Sequence, residues 1–152
     1  MSYSPHPNAT FRDVIPNASG GYSFKTERIE PQTPMLYDIA AIQHMYGANI
    51  SYRTGNDTYT FDPTKPFFQT LWDAGGTDTI SVSSFSTDNT INLNAGTFST
   101  IAIPSDALPA GYIGGTTPTY DGTNNLAIAF GCLLNPWADH QKFSLSLLKS
   151  TT

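Results

Sequence analysis

One long amphipathic period runs through the chain. Met35, Ile39, Ile42 and Tyr46 recur at i, i+4, i+7 and i+11, the spacing of one helical face. The period predicts a helix over 34–46, with Thr33 as its cap, Pro34 in its first turn and Gly47 as its stop. Such a stripe is expected to pack on a core, and to be partly uncovered where that core belongs to a preceding part. Ahead of it, residues 1–33 are rich in Pro, Asn, Ser and Gly and show little periodicity, which predicts an irregular lead-in. Behind it the period shortens. Tyr59-Thr60-Phe61, Thr79-Ile80-Ser81-Val82, Thr90-Ile91-Asn92-Leu93 and Leu126-Ala127-Ile128-Ala129-Phe130 read as short strands, separated by Asn, Asp, Gly and Pro turns. Residues 104–125 read as a long Pro-, Gly- and Thr-rich loop, and the punctuation changes again after Cys132. The expected fold class is mainly β with one N-terminal helix: a β-roll-like or sandwich-like array of short strands after an irregular lead-in.

Composition narrows the chemistry. Of 152 residues 12% are charged, and the net charge is −5. Ten of the twelve acids are Asp; only Glu27 and Glu30 are Glu. Asp favours turns, caps and oxygen cages for hard cations, so the balance argues against a helical bundle. Seven scattered Lys and Arg make no basic stripe, which excludes a nucleic-acid partner. No apolar run approaches the ~20 residues that span a bilayer, so no membrane is expected. Met1 to Pro5 has neither the basic start nor the apolar stretch of a secretory signal, so no export signal is expected in this chain. A single cysteine, Cys132, forms no intrachain disulfide and reads as a small buried hydrophobe. His6, His44 and His140 fall in no metal-binding spacing.

The most informative segment is Trp72-Asp73-Ala74-Gly75-Gly76-Thr77-Asp78-Thr79-Ile80. Two Asp flank a Gly-Gly ahead of a strand. Glycines let the backbone fold tightly enough for carbonyls and carboxylates to converge on one cation. Aligned on Asp78 and Ile80, the segment keeps the third Gly (Gly76), the Asp and the apolar position of the calcium-binding nonapeptide Gly-Gly-x-Gly-x-Asp-x-U-x. Read locally it fits a calcium turn and a plain Gly-Gly turn equally well. Arg53-Thr54-Gly55-Asn56-Asp57-Thr58 reads locally as a turn. Gly122-Thr123-Asn124-Asn125-Leu126 is a weaker echo, with Asn124 at the Asp position.

Together, Met1-Ser2-Tyr3, the run from Thr33 to Asn49, Arg53-Thr54-Gly55, the run from Trp72 to Ile80 and the run from Ile91 to Ser99 resemble the serralysin family. These are secreted bacterial zinc endopeptidases of the metzincin clan. The resemblance covers residues 1 to about 131. It implies three parts. Residues 1–49 are the tail end of a catalytic domain, with its Met-turn and C-terminal helix. Residues 50–131 begin the C-terminal calcium-binding β domain. Residues 132–152 form a divergent tail that a shift of reading frame would explain.

By the same resemblance Met1 matches the Met-turn methionine and Tyr3 the tyrosine that can ligate zinc. The family's zinc-binding histidines and general-base Glu precede that turn. Zinc hydrolysis needs protein ligands and a base, and a Met and a Tyr supply neither. Zinc, present in intact relatives, is therefore not expected here, and the chain alone is expected to be proteolytically inactive. Calcium is expected. The resemblance assigns to one ion the backbone carbonyls of Arg53, Gly55 and Asp57 together with Asp73, Gly75 and Asp78, and assigns Gly76 to a neighbouring ion. Leu133 and Asn135 stand where relatives carry Thr and Glu ligands to a second calcium. The implied location is extracellular, and the implied partners are calcium ions and the N-terminal protease part. Two rival readings are a standalone extracellular calcium-dependent binding or structural module, and one half of a split zinc protease.

Overall fold

The computed structural model describes residue 6, residues 8–114 and 117–132, and the backbone of 144–146. Within these the chain is mostly strand with one helix, in the order β1 (Thr10–Pro16), β2 (Tyr22–Arg28), α1 (Leu36–Tyr46), β3 (Thr58–Thr60), β4 (Gln69–Leu71), β5 (Thr79–Ser81), β6 (Phe98–Ser99), β7 (Leu126–Ile128) and β8 (Ser144–Ser146). The mainly-β expectation with one helix therefore holds.

The lead-in is more regular than its composition suggests. β1 and β2 pair as an antiparallel hairpin from Thr10↔Arg28 to Pro16↔Tyr22. Its turn closes through Asn17, whose N–H donates to the Gly21 carbonyl at 2.8 Å. Every β2 side chain is exposed, so no in–out alternation marks the strand in the sequence. What secures the hairpin is distant in the chain. Tyr120 N–H donates to Thr10 O at 2.7 Å and Asp106 N–H to Arg12 O at 3.0 Å. The Asp106 carboxylate accepts from Val14 N–H at 2.8 Å. Asp106 and Tyr120 thus bring their segments alongside β1 and extend its hydrogen bonding.

Helix α1 begins two residues later than expected. Asp38 Oδ2 accepts from the Met35 N–H at 3.2 Å, which closes the first turn. Thr33 is used elsewhere: its Oγ1 accepts from Thr70 N–H at 2.8 Å and serves the edge of β4 instead of the helix. At the other end, Gly47 takes φ +83° and donates to Gln43 O at 2.9 Å. The stripe is covered only in part. Leu36, outside the stripe, is the buried helix residue. Met35 packs against the core, but Ile42 is half exposed and Tyr46 is 82% exposed.

The remaining strands are three residues or shorter and form two sheets. β3, β5 and β8 are all parallel, with Thr58↔Thr79 and Thr79↔Ser144 in register. β4 and β7 are parallel, Gln69↔Leu126, and β6 joins β7 antiparallel. Alternation sends Tyr59 and Ile80 from one sheet into the same buried cluster as Leu71, Leu126 and Ile128 from the other. Of the strands expected from sequence, 90–93 reduces to a single bridge between Thr90 and Thr100. Asn92 N–H there donates to the Ser99 hydroxyl at 2.9 Å, a side chain in place of a ladder partner. Within the core, buried Tyr120 donates to Phe67 O at 2.7 Å and accepts from Asn125 Nδ2 at 2.8 Å. Cys132 is buried, as expected.

Candidate metal centre

The parallel register of β3 and β5 builds the site. With Thr58 opposite Thr79, the residues just before each strand, Asp57 and Asp78, become neighbours. Hydrogen bonds lock that junction. Thr79 N–H donates to Asp57 O at 2.8 Å, and Asp57 N–H donates to Asp78 Oδ1 at 2.8 Å. Thr77 N–H donates to Asn56 Oδ1, also at 2.8 Å. Asp73 enters from β4, two residues after its last strand position. One carboxylate oxygen from each of Asp57, Asp73 and Asp78 lies within 4.8 Å of the other two. Among the described residues, this is the one group of three or more His, Cys, Asp or Glu side chains so placed.

Asp73 and Asp78 are each 1% exposed. Asp73 is held at both oxygens: Oδ1 accepts from Gly75 N–H at 3.0 Å, and Oδ2 from the Tyr59 hydroxyl at 2.5 Å. Its own N–H points to Cys132 Sγ at 3.2 Å. Gly76 takes φ +123°, and a Cβ there would collide with the Gly55 carbonyl oxygen. That contact brings the turn at Gly55 against the turn that carries Asp78. Arg53 holds a left-handed φ of +50°, unusual for a side-chain-bearing residue. Its guanidinium lies 5.0 Å from the Tyr59 ring centroid, and its Nη1 is 3.8 Å from Asp57 Oδ1.

The electrostatics favour a cation. Burial raises the Asp78 carboxyl above its ordinary range, and the charges of Asp73 and Asp57 add to this effect. Burial also raises the Tyr59 phenol, and its bond to Asp73 raises it further, so it stays a donor. Buried carboxylates in contact with one another are costly unless a cation joins them. The donor set is all oxygen, which suits calcium. Ligands across one calcium ion stand up to about 5 Å apart, twice a 2.3–2.6 Å bond, and the 4.8 Å spread fits within that.

Of the residues expected at the ion, Asp57, Asp73 and Asp78 converge, and Gly55 meets Gly76 beside them. The Asp57 side chain joins the cluster, although the resemblance assigned only its carbonyl. Gly75 contributes its N–H to Asp73. Met1, Tyr3, Leu133 and Asn135 lie outside the described residues. Tyr59 and Cys132 were not singled out at this site. Tyr59 was findable, since it stands two residues beyond Asp57 in an extended segment and so shares its face. Cys132 was not, being separated from Asp73 by 59 positions.

Comparison with known proteins bears on the same segment. Residues 37–103 match the family described as Peptidase M10 serralysin C terminal. Serralysin C of Dickeya chrysanthemi is 45% identical over 80 residues, covering 45% of this chain and 17% of the relative. Serralysin of Proteus mirabilis is 40% identical over 80 residues, covering 45% and 16%. Serralysin of a Photorhabdus strain is 41% identical over 85 residues, covering 48% and 18%. The chain thus spans less than a fifth of the length of these relatives. Its central stretch is serralysin-like, and specifically like the C-terminal region of those proteins. Among the described residues, no helix is long and apolar enough to cross a membrane.

Proposed function

We propose that the chain is a calcium-stabilised, serralysin-like C-terminal region that has no proteolytic activity of its own. The clustering of Asp57, Asp73 and Asp78, one carboxylate oxygen of each within 4.8 Å of the others, carries the calcium part of this reading. The ion would be held by those carboxylates and by the carbonyls of Arg53, Gly55, Asp57 and Gly75, with Gly76 turned to a neighbouring ion. Its role is structural. A cation that binds only the folded chain stabilises it by mass action and joins the 53–58 turn to the 73–78 turn. Residues 1–49 would be the end of a catalytic domain, and 50–131 the start of an extracellular calcium-binding β domain.

An assembly role has its own support. Ile42, Met45 and Tyr46, at i, i+3 and i+4 on α1, are 48%, 64% and 82% exposed, an apolar helix surface suited to cover by a protease part. That favours a piece of, or partner to, a zinc protease over a standalone module.

Thermal unfolding tests the calcium reading. With a dissociation constant of ~0.1 mM, usual for extracellular sites, 10 mM calcium adds about 2.7 kcal/mol. The melting temperature should then rise by roughly 5–10 °C and fall again with chelator. An unchanged melting temperature at millimolar calcium would sink it.

A further inference from the structure

We propose that Tyr59 is the positioning residue that sets the affinity of this calcium site, although it is not itself a ligand. The inference rests on the calcium reading above and concerns what lies behind the ligands.

Tyr59 lies outside both turns, and its side chain touches each of them. Its hydroxyl donates to Asp73 Oδ2 at 2.5 Å, on the 73–78 side. Its ring carries the Arg53 guanidinium at 5.0 Å, on the 53–58 side. The result is a continuous chain of cation, π-face, hydroxyl and carboxylate. A guanidinium over the ring draws on its electron density and makes the phenol a better donor. The phenol in turn fixes one Asp73 oxygen while Gly75 N–H fixes the other at 3.0 Å. A carboxylate offers about four lone-pair positions. Two are used by these bonds, and the rest stay aimed at the cluster.

Burial makes the hydroxyl hard to replace. Asp73 is 1% exposed, so water has little access to Oδ2 if the phenol is removed. The carboxylate would then turn to find another donor and leave the ligand geometry. Tyr59 is itself fixed, being buried in the core cluster and held in the β3–β5 register opposite Ile80. The strand pairing that brings Asp57 to Asp78 thus also sets the donor that aims Asp73.

The test is calcium binding by the full chain and by Tyr59→Phe, measured in competition with a chromophoric chelator, with melting curves in chelator alongside. Outer partners of metal ligands typically change affinity 10–100-fold. Tyr59→Phe should weaken calcium binding by at least tenfold, and its calcium-free melting temperature should fall by a few degrees as Asp73 Oδ2 loses its buried donor. Equal affinity in the two proteins overturns the inference and leaves the calcium reading intact. A lowered calcium-free melting temperature with unchanged affinity also overturns it, because the hydroxyl would then be merely structural. No calcium binding by the parent chain overturns both. Should Tyr59→Phe fail to fold, proton NMR of the parent decides. A downfield Tyr59 hydroxyl resonance should persist when calcium is added, and its loss on calcium binding overturns the inference.

Discussion

The Gly55 carbonyl oxygen occupies the space where a side chain on residue 76 would begin. Two turns some twenty residues apart in sequence are therefore in backbone contact at the proposed calcium site. Gly76→Ala combines that collision with a φ of +123° that alanine resists. The expected cost is ~3 kcal/mol of stability, with calcium affinity reduced by the displaced carbonyl. Gly20→Ala is the control: it has φ +82° but nothing within 4 Å of the new Cβ. It should cost only ~1 kcal/mol and leave calcium binding unchanged. Chelator titration and urea unfolding of both variants check the difference.

Cys132 reports on the site from behind. Burial pushes its thiol up to about 11, and its sulfur lies 3.2 Å from Asp73 N. Little thiolate forms at pH 8, so a disulfide reagent should react slowly with the folded chain. Calcium should slow it further, because opening this region would release the ion. Reaction at the rate of a free thiol, with or without calcium, would contradict the packing.

Tyr120 sets an alkaline limit outside the proposed metal site. Burial raises its phenol above the ordinary 10.0. The folded chain then holds that proton more tightly than the unfolded chain does. Its contribution is fully present below pH ~10 and is lost as pH climbs through the raised folded value. Tyr120→Phe should flatten the fall in stability above pH 10. At neutral pH it should cost ~1–3 kcal/mol, since Phe67 O loses its buried donor. Urea midpoints at pH 7, 10 and 11 test the sign.

The exposed face of α1 makes a surface prediction. The full chain should bind an apolar dye or self-associate through Ile42, Met45 and Tyr46. Met45→Lys with Tyr46→Ser should abolish this and leave calcium affinity unchanged. Dye fluorescence and light scattering read both effects, and a monomer that binds no dye would count against an uncovered interface.

What the sequence made legible follows from the range of the forces involved. The helix was visible because its period and its Gly47 stop are local. The strands at Tyr59, Ile80 and Ile128 were visible through β-rich runs between turns. The acidic residues of the site were visible through a motif and a resemblance, but their meeting depends on the Thr58↔Thr79 register, which no local pattern encodes. The β1–β2 hairpin escaped because its second strand is wholly exposed and its outer edge is completed by Asp106 and Tyr120, about a hundred residues on. How far the helix stripe is covered was only partly legible, because amphipathicity shows which face is apolar, and not whether this chain covers it: Met35 packs on the core while Tyr46 stands exposed.

The most direct measurement is calorimetric titration of calcium into the full chain and into Asp73→Asn and Asp78→Asn. The parent should bind calcium saturably, and each substitution, which removes a buried ligand charge, should weaken binding at least tenfold. Absence of binding heat in the parent at millimolar calcium, or affinities unchanged by both substitutions, would contradict a calcium site built on Asp57, Asp73 and Asp78.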